Sequence, residues 1–231
     1  MKRVAQSGLW LILWLGSLAI TLSSLVYFHF DERAPFVIEK LPLPAEGLYV
    51  FVLRLHVIAA ALCLPGCLTL SSKIILKHFP KFHRHCGRMI GSLILLILVP
   101  TGFYLAFFAR GGRAGTLGFL LTGAIVMVAM VEGIRAARAR QYARHRRLVF
   151  HVLGQLSVAV TSRAMLFGFE AATQLDPDFA YVISLWIPVV GTFALVELLV
   201  SPINLKTIFR RLYEQTLPHL HPLRARRADI R

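Results

Sequence analysis

Along this chain the apolar residues neither alternate with polar ones nor form a single stripe on otherwise polar helices. They come in long runs. Six segments, at about 9–28, 48–72, 89–108, 117–134, 148–169 and 179–200, carry very few charges. At roughly 1.5 Å per residue each can cross a hydrocarbon layer of about 30 Å, where only a helix satisfies its own backbone hydrogen bonds. The pattern predicts an all-α integral membrane protein with six transmembrane helices, of which helices two to five form a four-helix core bundle. Turn signals fill the gaps: Pro42, Pro44 and Gly47, then Gly111 and Gly112, then Asp176-Pro177-Asp178. The chain thus divides into a first helix and outer loop (1–46), the core (47–170), a sixth helix (171–203) and a basic tail (204–231).

Charge then sets the orientation. Twenty Lys and Arg residues lie at the N-terminus, in the gaps after segments two and four, and in the tail. The opposite side carries four: Arg33, Lys40, Arg110 and Arg113. This alternation is the positive-inside pattern, and it predicts a bacterial inner-membrane protein with both termini in the cytoplasm. The formal charge of +15 therefore reflects loops that face anionic headgroups, the Arg-, Pro- and His-rich tail included, and not nucleic-acid binding. Lys2 and Arg3 ahead of an apolar run resemble a signal peptide, but a run of about 20 residues exceeds the usual signal core and reads as a retained helix. Cys63, Cys67 and Cys86 imply no disulfide framework, and two thiols one turn apart do not close a zinc site.

Three short stretches carry a family likeness. They are Leu55-His56, then His83-Arg84-His85-Cys86-Gly87-Arg88, then His145-Arg146-Arg147 with the helix that ends near Thr161-Ser162-Arg163. From Leu55 to about Arg163 the chain resembles an uncharacterised bacterial family of multi-pass membrane proteins, the domain of unknown function 2306. His151 departs from the basic residue expected there. The resemblance implies a membrane-embedded helical fold and no particular activity.

Polar groups inside a span must be paired, face a cavity or reach outward, so they are the candidates for chemistry. His56 shares a helical face with Ala60, Cys63 and Cys67 and is expected to point into the bundle. It is a candidate haem or metal ligand, or a neutral imidazole bonded to a neighbouring helix. Arg163 lies on the face of Glu170, which makes either an ion pair or an anion-binding arginine. His85 and His151 stand near the inner edge, and His151 is expected to pair with Glu132. The candidate cofactor-binding set is His56, His85, His151 and Arg163, with the three histidines as possible iron ligands of a non-covalent b-type haem. The sequence has no CxxCH motif, Gly-rich phosphate loop or nucleophile elbow. Three readings follow: a haem- or quinone-binding redox subunit, a transporter or sensor of a small anionic or amphipathic ligand, and a non-catalytic partner in a membrane assembly.

The topology is directly testable. A reporter fused after Arg231 should be cytoplasmic and one inserted at Asp176–Asp178 should be exterior; the reverse result at either site would sink the six-span reading.

Overall fold

The computed structural model describes residues 2–24, 28, 43, 45–172 and 174–200. The expected outer loop after the first helix and the basic tail lie outside these residues. Among the described residues seven helices follow one another: α1 (Lys2–Ser23), α2 (Glu46–Leu70), α3 (Lys73–His78), α4 (Pro80–Ala106, with a π-turn at Ile94–Leu98), α5 (Gly112–Arg138), α6 (Tyr142–Ala172) and α7 (Pro177–Val200). Five of them, α2 and α4 to α7, are long and apolar enough to cross a membrane. The apolar part of α1, Trp10–Ser23, is shorter.

The helices outrun the apolar runs at their basic ends. α4 starts at Pro80, α5 continues to Arg138, and α6 starts at Tyr142. With 31 residues, α6 rises about 46 Å at 1.5 Å per residue, more than a bilayer core needs, so its first turns stand in the headgroup region. Arg140, with a left-handed φ of 59°, turns the chain between α5 and α6.

The interior interleaves branched apolar side chains with small residues. Leu13 of α1, Ala59, Cys63 and Cys67 of α2, Ile94 and Leu98 of α4, Val126 and Ala129 of α5 and Val152 of α6 form one buried cluster. That cluster spans five helices and includes α1, so the core extends beyond helices two to five. Gly16 permits the contact: a Cβ there would stand 2.3 Å from a Val160 methyl. A second cluster, Val158, Leu185 and Val189, joins α6 to α7.

α5 and α7 both pack along α6, but they meet each other at one end only. Near the Asp178 end, Gly118 lies under Leu185, and the Trp186 indole N–H donates to the Ala114 carbonyl at 3.1 Å. The same end is tied by Arg110, whose Nε donates to Asp178 Oδ1 at 2.8 Å and whose guanidinium lies 5.9 Å from the Tyr181 ring centre. Toward the basic end no such contact recurs among the described residues, and a groove opens between α5 and α7 with α6 as its floor.

The α4–α5 turn supplies a stability test. Gly111 and Gly112 both have left-handed φ, 80° and 57°, and the turn brings the Arg110 carbonyl against Gly115. A Cβ on Gly115 would lie 1.9 Å from that oxygen, which is backbone and cannot swing aside. Gly115→Ala should therefore cost on the order of 1–3 kcal/mol and lower the melting temperature in detergent, whereas Gly8→Ala, with open space around it, should leave it unchanged.

Candidate functional site

The groove has a volume of about 510 Å³. Its walls are apolar: Ala124, Ile125 and Val128 of α5, Leu148 of α6 and Phe193 of α7. Val128 and Phe193 are exposed along its rim, so it opens sideways and not only at its end. At the basic end the lining changes to Arg144, Arg147 and His151 of α6 and Glu197 of α7.

These four groups form two linked charge centres. Glu197 accepts from two residues of α6: the Arg147 guanidinium forms a close ion pair with it, and His151 Nε2 donates at 2.8 Å. Residues 147 and 151 are one helical turn apart and so face the same way, which allows one carboxylate to bridge both. The His151 ring is buried and packs against Phe193 at 4.8 Å between ring centres. Its Nδ1 is buried without a hydrogen-bond partner among the described residues. The second centre is Glu132, whose two oxygens accept from Arg135 at 2.6 Å and Arg144 at 2.7 Å. One turn deeper, Gln155 Nε2 donates to the Val189 carbonyl at 3.0 Å and to Thr192 Oγ1 at 3.1 Å, fixing α7 against α6 beneath the charged layer.

The expected Glu132–His151 pair does not form. Arg135 and Arg144 take the two Glu132 oxygens, and His151 turns to Glu197 of α7. Glu197 is the residue that the sequence reading missed. Its signal was present: it is the one acidic residue in the last apolar run after Asp178, close to the basic end, where an unpaired carboxylate would be costly.

The other candidates lie elsewhere. His56 of α2 faces α4, where Gly102 makes room for its ring. Thr101 Oγ1 donates to the Ile97 carbonyl at 2.6 Å, so it accepts from His56 Nδ1–H at 3.0 Å. His85 is exposed and its Nδ1–H donates to the Lys81 carbonyl of its own helix at 2.8 Å. Arg163 is exposed and donates to the Ala159 carbonyl one turn below, with no ion pair to Glu170 among the described residues. Val158 packs with Leu185, so in these antiparallel helices Arg163, five residues on, stands near the level of Tyr181. That is the level of the Arg110–Asp178 belt, which makes Arg163 an interfacial residue and not a deeply placed one. His56 and Arg163 thus serve separate contacts. Neither residue lines the groove, and no hydrogen bond or ring contact joins any two of His56, His85 and His151.

Removing the bridging carboxylate should be costly. Glu197→Ala leaves a half-covered guanidinium and a buried imidazole without their acceptor, an expected loss of about 1–3 kcal/mol. Glu132→Ala removes two pairs whose arginines are mostly solvent-exposed, and should cost no more than about 1 kcal/mol. Thermal unfolding of both variants in the same detergent would check the order.

No curated protein and no solved structure is detectably similar to this chain. A family model described as "Predicted membrane protein (DUF2306)" matches residues 53–200. The match runs past Arg163, where the sequence likeness was seen to end, and takes in α7 with Glu197, so the groove falls wholly within it. The chain therefore belongs to this family of predicted membrane proteins of unknown function.

Proposed function

We propose that the protein binds an anionic amphiphile from the cytoplasmic leaflet in the groove between α5 and α7, as a sensor or carrier of that molecule. The observation that carries this reading is the division of one groove into an apolar, sideways-open wall and a charged end with two arginines. An acyl chain fits against Ile125, Val128 and Phe193, and an acidic head fits at Arg144 and Arg147. Both guanidinium groups keep N–H donors beyond those already given to carboxylates, and both are partly open, at 56% and 43% exposure. The reading takes the basic end as cytoplasmic and α1 as a sixth crossing, with both termini inside, as the loop charges predict.

The haem reading gains nothing from this geometry. Its three candidate rings are engaged separately, by Thr101, by Lys81 and by Glu197. A quinone could enter the groove, but its uncharged head gives two arginines no counter-ion. A Soret band in the purified protein would reverse this order of preference.

The test uses the full chain in phosphatidylcholine nanodiscs. A fluorescent single-chain phosphatidylglycerol should bind saturably, and Arg147→Gln should weaken it by about tenfold, the equivalent of about 1.4 kcal/mol. Its zwitterionic phosphatidylcholine counterpart should not compete. Competition by inorganic phosphate at similar concentration would assign the site to a free anion. Equal binding of the charged and zwitterionic lipids would overturn the proposal.

A further inference from the structure

We infer that the amphiphile is a single-chain phospholipid whose free backbone hydroxyl donates to His151 Nδ1 while its phosphate is held at Arg144 and Arg147. This rests on the reading of the groove as an anion site and names the class of ligand that the site selects.

Among the described lining residues His151 is the one polar side chain that is neither an arginine nor a carboxylate. It follows Arg147 by four residues, so it stands one turn deeper, about 6 Å along α6 at 1.5 Å per residue. Its bond to Glu197 fixes the chemistry of the ring. A carboxylate only accepts, so the proton of the neutral imidazole is on Nε2 and Nδ1 keeps a lone pair. That Nδ1 is buried and has no donor among the described residues. A buried acceptor without a donor costs free energy that a ligand hydroxyl would recover. The Gln155 amide oxygen is also buried without a partner, but Gln155 does not line the groove and its amide nitrogen is already bonded to α7. The ligand's donor is therefore assigned to His151.

The order of groups along the groove says where on the ligand that donor stands. Arg144 and Arg147 come first and His151 next. Gly133 packs on Leu148, so Ile125, about two turns further in on α5, lies deeper than His151. A ligand lying along the groove thus meets cations, then an acceptor, then an apolar wall. A single-chain glycerophospholipid presents the matching series. Its free hydroxyl lies between phosphate and acyl chain, a few single bonds from the phosphorus, a reach comparable to one helical turn. A two-chain phospholipid carries an ester at that carbon, which accepts and cannot donate. A fatty acid has the charge and the chain without the hydroxyl. Phe193 packs on the imidazole and is 43% exposed at the rim, so its ring has room to turn outward as the hydroxyl enters.

The experiment uses the full chain in phosphatidylcholine nanodiscs at pH 8, where the imidazole is neutral. Single-chain phosphatidylglycerol is compared with its 2-deoxy analogue, which has the same charge and chain and lacks the backbone hydroxyl. Both are dosed as mole fraction in the disc, so that partitioning cancels. The hydroxylated ligand should bind about fivefold more tightly, the worth of one hydrogen bond. In His151→Gln, whose amide N–H can still reach Glu197 but which has no counterpart of Nδ1, the two ligands should bind alike. A second readout needs no variant: in protein labelled with nitrogen-15 histidine, the His151 Nδ1 resonance should shift with the hydroxylated ligand and not with the deoxy one. Equal affinity of the two ligands for wild type, an unmoved Nδ1 resonance, or the same fivefold ratio in His151→Gln would overturn this inference and leave the binding proposal standing. No saturable binding of either ligand to wild type would overturn both.

Discussion

A bilayer interior offers no water to a polar side chain, and in this protein that constraint is met by one carboxylate shared between two helices. Glu197 is the acceptor for both Arg147 and His151, and the three groups cannot be placed independently. The shared pair sets the distance and register of α7 against α6 at the basic end, as Gln155 does one turn deeper. Because α7 is held to α6 there, and to α5 only at the opposite end, the gap between α5 and α7 is a product of the same contacts that bind the bundle together. Stability and the proposed ligand site arise from one arrangement. This is why the site is built from residues that would otherwise be expensive to carry in a span.

The spans and their ends could be read from the chain because their cause is local. A run of about 20 apolar residues has few alternatives to a helix in lipid, and Lys and Arg mark the side on which they remain. Helix ends in the headgroup region were harder to place. Residues 80–88 and 142–147 are too polar for a hydropathy window, yet they continue α4 and α6 because nothing in them breaks a helix. Gly111 and Gly112 were legible as a turn, and the left-handed backbone they adopt is the reason for glycine there.

The partners of the polar residues were far less legible. Helical spacing correctly turned His56 toward another helix, but could not say that the acceptor would be Thr101, which is 45 residues away. His151 was correctly marked as a residue that needs a partner. Glu132 and Glu197 stand on the two sequence neighbours of α6, and spacing along the chain does not choose between them; Arg135 and Arg144 reach Glu132 and leave His151 to α7. The level of Arg163 is set by the belt of Arg110, Asp178 and Tyr181 on its neighbours, which span boundaries counted from one helix alone miss. Such pairings depend on the relative rotation of helices, and that is fixed by packing across the whole bundle.

The π-turn at Ile94–Leu98 bears on one of those rotations. Pro100 has no N–H and its ring crowds the carbonyl of the preceding turn, and here the helix answers by widening, with Val99 N–H bonding back to Ile94. One residue more than usual is spent in that turn. The two halves of α4 therefore run out of phase: the stretch before it buries Gly91 and Ile94 in the main cluster, and the stretch after it presents Thr101 and Gly102 to His56. A helix of this kind works as a coupling between two registers. Ordinary winding of the same residues would turn everything beyond that point by about 100°, taking the threonine from its histidine with composition and hydropathy unchanged.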